Sequence, residues 1–139
     1  MKFYELLDRD EVKADPRTEE LASLVIGAAI EVHRHLGPGL AEKTYRNALV
    51  HELRLRGVEC QPEVHVPIYY KGKLVGEGFV DVLVERVLVV EVKVVENLIA
   101  VHRAQTISYL QALKLQLGLM LNFNVAAMKD GIKRVINTF

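Results

Sequence analysis

The first sixteen or so residues are polar and follow no sustained period, which reads as an arm over residues 1–16 with one short helical turn at Phe3 to Leu7. Apolar residues then recur every three or four positions at Leu21, Leu24, Val25, Ala28, Ala29, Val32 and Leu36, so an amphipathic helix is predicted from about 17 to 36. Asp15-Pro16 supplies an N-cap and a proline suited to the first helical position, and Gly37-Pro38-Gly39 ends the helix. Leu40, Tyr45, Ala48, Leu49 and Leu53 predict a second helix over about 40–56, ended by Gly57. The period then shortens to two. Val64, Val66 and Ile68 alternate with polar or turn residues, Lys71-Gly72-Lys73 turns the chain, and a strand follows from Leu74 to Glu85. After a turn at Glu85-Arg86, residues 87–95 are almost all apolar and β-branched, as in a strand buried on both faces. A helix over about 98–117 closes at Gly118. Strands at Leu119 to Val125 and Ile132 to Ile136 flank a turn at Lys129-Asp130-Gly131. Two helices, a three-stranded meander, a helix and two more strands make a single α/β (α+β) domain over 17–139.

A chain of 139 residues fits one domain with a sizeable core. Eighteen basic residues balance eighteen acidic ones, so total charge demands no polyanionic partner. The acids gather at the start, where residues 1–20 carry seven against four bases, leaving the remainder mildly basic. No apolar run approaches the roughly 18 residues of a membrane span, and the acidic start is unlike a signal peptide, so a soluble cytoplasmic protein is expected. Cys60 is the single cysteine, which excludes an internal disulfide and a thiolate zinc site.

The chemistry concentrates in the most apolar strand. Glu91 and Lys93 are two residues apart and share a face. Burying such charges is costly unless they are paired or put to use. Asp81 interrupts the preceding strand ten positions before Glu91, and a hairpin through Glu85-Arg86 sets the two acids near each other. Two adjacent carboxylates repel, and a hard divalent cation relieves the repulsion. A lysine beside them suits orientation of a metal-bound water or of a phosphate. The competing reading is structural, with Lys93 as the buried salt-bridge partner of one acid.

At this point the sequence resembles a known family. Gly39-Leu40-Ala41-Glu42-Lys43-Thr44-Tyr45 matches the signature of the GxxExxY proteins, a branch of the PD-(D/E)xK nuclease superfamily. The resemblance spans roughly residues 20–137 and takes in IGAAIEVHRHLGPGL, YYKGKLVGEGF, Asp81, Glu91-Val92-Lys93, Gln105 and Tyr109. Val80 stands where the superfamily's name has proline, and Gly78-Phe79-Val80-Asp81 is shorter than the GFRAD common in such relatives. The resemblance implies a nuclease-like core with a central mixed sheet of about five strands flanked by helices. It implies Mg2+ or Mn2+ held by Asp81, Glu91 and the main-chain carbonyl of Val92, with Glu42 joining from the second helix. Lys93 would act on the water or the scissile phosphate, and Gln105 and Tyr109, one helical turn apart, would touch nucleic acid.

Plainer roles compete at each motif position. Tyr45 suits a core aromatic with a satisfied hydroxyl, Gly39 an interhelical turn, and Glu42 a first-turn acid favoured by the helix dipole. Gln105 and Tyr109 suit packing. His33 and His35 diverge on a helix and read as solvated or capping residues, and Cys60 reads as inert. Arg54, Arg56, Lys71, Lys73 and Arg103 are scattered bases available to phosphates or simply solvated. Two functions follow: a Mg2+- or Mn2+-dependent phosphodiester hydrolase acting on DNA or RNA, or a catalytically silent nucleic-acid-binding or protein-interaction module of the same fold. A homodimer would let two small subunits bracket a duplex.

Overall fold

Asp15 caps the first helix, its carboxylate accepting the Thr18 N–H at 3.0 Å and the Thr18 hydroxyl at 2.8 Å, with Pro16 opening helix α1 (Pro16–Leu36). The computed structural model describes residues 12–137, so the helical turn expected at Phe3 to Leu7 lies outside the described residues. Gly37, at φ 68°, ends α1. Helix α2 (Glu42–Leu55) begins two residues later than its apolar period suggests, because Gly39 is at φ 105° and Ala41 is still extended.

Strands β1 (Cys60–Tyr70), β2 (Lys73–Val84) and β3 (Leu88–Lys93) form the expected meander. Helix α3 (Ala100–Leu113) then carries the chain to β4 (Leu117–Asn122), which lies parallel to β3. A 3-10 turn at Met128–Gly131 leads into β5 (Ile132–Ile136), antiparallel to β4. The result is a five-stranded mixed sheet in the order β1-β2-β3-β4-β5 with helices on both faces.

The continuous apolar run of β3 is explained by two-sided burial. Leu88, Val90 and Val92 join the core under α1 and α2, whereas Val89 joins Ile107, Leu110, Met120 and Val135 under α3. Several boundaries differ from the sequence expectation. Helix α3 stops at Leu113, where Lys114 turns left-handed at φ 59° and donates its N–H to the carbonyls of Leu110 and Gln111. Gly118 lies inside β4, opposite Val89, and a Cβ there would come within 2.9 Å of the Thr106 methyl. That glycine permits close packing of α3 on the sheet and does not stop the helix. Likewise β3 ends at Lys93 and β4 at Asn122, because the Asn122 side chain bonds the N–H and carbonyl of Val95 at 3.1 and 2.9 Å and draws both chains out of the ladder.

The β1-β2 ribbon changes faces partway along. Pairing runs from Cys60↔Val84 to Pro62↔Val82, omits Glu63 and resumes at Val64↔Val80. Glu63 is left-handed at φ 52°. Across this break Val82 belongs to the α1/α2 core, whereas Val80, two residues away, belongs to the α3 core. Asp81 sits at the switch. The register is the same on both sides of the break, so the switch is a local kink and not an inserted residue.

Candidate active site

Pairing between β2 and β3 stops at Val82↔Val90, one step short of setting Asp81 opposite Glu91. From there the Asp81 carboxylate takes over from the ladder and accepts the N–H of Val92 at 2.7 Å. Glu91 is 2% exposed. Its carboxyl lies against both the side chain and the main-chain N–H of Asp81, and Oε1 has no hydrogen-bond partner among the described residues. Burial and then the Asp81 carboxylate push Glu91 up to about 9, with Lys93 acting weakly the other way. In the metal-free protein the acid pair therefore holds a proton well above the ordinary carboxylate range.

Lys93 is half-buried and makes no ion pair with either acid among the described residues. Its Nζ donates to Gln105 Oε1 at 3.3 Å, and Gln105 Nε2 donates to the Tyr109 hydroxyl at 3.3 Å. The buried salt bridge that competed for Lys93 is thus replaced by a polar chain running onto α3. Tyr109 is held from its far side by Gly78, where a Cβ would stand 2.6 Å from the phenol oxygen. Burial and the nearby Glu91 raise the Tyr109 phenol above its ordinary value.

On the other side of β3, Glu42 reaches from the first turn of α2 to accept the Val94 N–H at 3.2 Å. An open cleft of about 350 Å³ lies here, lined by Ala41, Glu42, Lys43, Arg46, Asp81 and Val92. Glu91 and Lys93 do not line it, since side chains at 91 and 93 leave β3 opposite to Val92. Asp81 is common to both sides. Among the described residues no three His, Cys, Asp or Glu side chains close on one point, so Glu42 does not complete a three-acid cluster with Asp81 and Glu91. Lys43 and Arg46 were not apparent as candidates, although Arg46 follows Glu42 by four residues and so shares its face of α2. Arg46 Nη1 pairs with Glu63 at 2.6 Å.

The remaining motif residues build the turn that presents Glu42. Tyr45 is fully buried, stacks on Phe123 at 4.5 Å, donates its hydroxyl to the Gly37 carbonyl and accepts the Leu40 N–H at 3.2 Å. Gly39 provides the positive φ of the same turn. Cys60 is buried and its thiol is raised by desolvation, as suits an unreactive side chain. Two expectations need correction. His33 is neither solvated nor a cap: it is 7% exposed and its Nε2 lies 2.8 Å from the Val125 carbonyl, tying α1 to the segment after β4. Arg103 is 4% exposed and faces inward, away from any approaching phosphate. Arg54 bonds the Cys60 carbonyl at 3.3 Å and Arg56 pairs with Glu52 at 2.7 Å, whereas Lys71 and Lys73 stand exposed. No helix among the described residues is long and apolar enough to cross a membrane.

No curated protein and no solved structure gives a significant match to the chain. A family model does, over residues 19–135, and its description is the PD-(D/E)XK nuclease superfamily. The mixed five-stranded sheet, the acids at the opening of β2 and β3 and the lysine two residues on agree with that match: the chain belongs to the PD-(D/E)XK nuclease superfamily.

Proposed function

We propose that this protein is a Mg2+- or Mn2+-dependent nuclease that hydrolyses phosphodiester bonds in DNA or RNA, in the manner of the GxxExxY branch. The observation that carries the reading is the buried Glu91 carboxyl, with one oxygen lacking a partner among the described residues and the Asp81 carboxylate beside it. A buried carboxyl held next to a second acid costs stability unless something else is meant to bind there. Oxygen donors of this kind suit a hard divalent ion. Asp81, Glu91 and the Val92 carbonyl would hold it, Glu42 lying across β3 from Glu91, and it would supply charge neutralisation and an acidified water.

The protein's own groups have distinct tasks in this reading. Asp81 fixes the main chain of Val92 through its N–H, and so sets where the Val92 carbonyl points. Lys93, held by Gln105 and through it by Tyr109, keeps an ammonium beside the acids, placed for the non-bridging oxygens of a phosphate or for the attacking water. Lys43 adds a cation to the cleft that Asp81 shares, suited to a phosphate there, while Arg46 beside it is paired with Glu63.

The test is cleavage of labelled single- and double-stranded DNA and RNA with Mg2+ or Mn2+, by wild type and by Asp81→Ala, Glu91→Gln and Lys93→Ala. Cleavage that needs the ion and falls at least about 100-fold in each variant supports the reading, the usual scale for losing an electrostatic catalytic group. Nucleic-acid binding without cleavage, unchanged by the ion, would instead establish the silent binding module.

A further inference from the structure

The β1-β2 ribbon outgrows the sheet. β2 pairs with β3 only over Val82 to Val84, whereas its pairing with β1 continues outward to Tyr70↔Lys73. Everything before Val82 on β2 is therefore a two-stranded arm. Its base is anchored where Gly78 receives Tyr109, and Val64, Val66, Ile68 and Val80 pack toward α3. Its outer part is different in character. Tyr69 and Tyr70 are each 63% exposed, Leu74 is 54%, Val75 is 56% and Phe79 is 52%. Lys71 lies in the turn, Lys73 follows it, and neither forms an ion pair among the described residues.

Several features show what such a surface takes. The stretch Tyr69 to Gly76 carries two lysines and no acid, and Glu77 just below it is paired with His65 at 2.6 Å, so the tip favours a polyanion over an acidic or neutral protein face. Lys71 lies 5.5 Å from the centre of the Tyr70 ring, so cation and aromatic face are presented together. Lys71 and Gly72 both have positive φ, at 48° and 81°, in a two-residue turn where asparagine or aspartate ordinarily precedes glycine. The cation thus occupies a position its backbone does not favour. Pro62 and Pro67 remove two N–H donors from β1, the outer strand, which works against addition of another chain's strand. Finally, the arm is continuous with the site. Phe79 is two residues from Asp81, and Lys73 lies eight residues before it, roughly 27 Å along β2 at about 3.4 Å per residue.

We propose that the β1-β2 arm is a binding surface for single-stranded nucleic acid leaving the active site, with Tyr69 and Tyr70, adjacent on β1, stacking on bases from opposite faces of the ribbon and Lys71 and Lys73 neutralising phosphates at its tip. Exposed aromatics beside unpaired cations are the means by which strands are held without sequence preference. The proposal rests on the nucleic-acid reading above and deepens it by assigning a substrate form and a second contact region.

The experiment is fluorescence anisotropy of the full chain, in EDTA, with labelled oligonucleotides of about 4 and about 16 nucleotides, the ends of the usual footprint range. Wild type, Lys71→Glu/Lys73→Glu and Tyr69→Ser/Tyr70→Ser are compared after thermal melts establish that each is folded. Wild type binds the longer strand at least about tenfold more tightly, and each double variant loses about tenfold or more of that affinity. The lysine variant also flattens the dependence of log K on log salt by roughly 1.4, about 0.7 for each lost phosphate contact on a single strand. The tyrosine variant leaves that slope near wild type. Wild-type binding that both variants match within twofold overturns the proposal and leaves the nuclease reading standing. A wild-type dimer that either variant dissociates in sedimentation also overturns it, marking the arm as a self-interface. Failure of wild type to bind any nucleic acid, with or without Mg2+, removes the nuclease reading itself.

Discussion

Asp81 and Val92 are joined by a 2.7 Å hydrogen bond from main-chain N–H to carboxylate, made where the β2-β3 ladder has already ended. The bond gives the two acids of the site opposite effects on the fold. Asp81→Ala leaves a nearly fully buried N–H without a partner and should cost about 1–3 kcal/mol, a drop of several degrees in Tm. Glu91→Gln removes a buried ionisable group whose Oε1 bonds nothing, so at pH 8 the metal-free variant should be at least as stable as wild type. Melts in EDTA check both. A Glu91→Gln Tm several degrees below wild type would show Glu91 to be a structural acid.

The same carboxyl sets the pH dependence of the metal-free fold. Glu91 titrates near 4.5 when unfolded and near 9 when folded, so between these values the native state keeps a proton that the unfolded chain has lost. Its contribution is fully present below pH 4.5 and is lost as pH rises toward 9, at up to about 1.4 kcal/mol per pH unit. Glu19 works the other way. Two bonds to Arg134, at 2.8 Å each, hold it down at about 2, so its contribution is present above pH 4.5 and lost as the pH falls toward 2. Stability in EDTA should thus peak in the mildly acidic range and decline toward pH 9, and Glu91→Gln should remove the alkaline decline. Denaturant midpoints across pH 3 to 9 measure this.

Gly78 and Tyr109 should show strong coupling. An alanine Cβ at 78 would lie 2.6 Å from the phenol oxygen and 2.7 Å from Cε1 of a ring that is itself packed on the arm. Gly78→Ala should therefore cost about 1–3 kcal/mol by overpacking. In a Tyr109→Ala background the same change should be nearly neutral, because the obstructing ring is gone. By displacing Tyr109 it should also disturb Gln105 and Lys93, lowering kcat more than it raises KM. Equal costs in the two backgrounds would mean that the ring simply swings aside.

Much of this arrangement was legible before any coordinates. The two-sided burial of β3, the β2-β3 hairpin and the proximity of Asp81 to Glu91 follow from residue type and a period of two. The sequence is less informative where a local signal has two physical meanings. Gly118 reads as a helix stop in sequence, yet its missing side chain serves the Thr106 contact across layers, which spacing along one element cannot reveal. His33 looks polar on its helix, and its burial depends on the Val125 carbonyl, 92 residues away. Lys43 and Arg46 carry ordinary helix-surface charges until the cleft places them opposite Asp81. The face switch at Glu63 leaves no signal, since glutamate is a rare occupant of left-handed backbone.

Metal binding supplies the last prediction, since it must displace the proton held on Glu91. Between pH 5 and 8 the acid pair carries a proton in the folded protein, and coordination requires both carboxylates to be charged. Each ion bound should therefore release up to one proton, and the apparent affinity for Mg2+ should rise by up to about tenfold per pH unit toward pH 9. Calorimetry in two buffers of different ionisation enthalpy counts the protons directly. The accompanying stabilisation should reach about 2.7 kcal/mol when the ion is at 100 times its Kd. Glu91→Gln, with no proton to lose at that position and one charged ligand fewer, should bind more weakly, release none and gain little in Tm. Proton release equal to wild type in Glu91→Gln would place the ion elsewhere, away from the acid pair at the opening of β2 and β3.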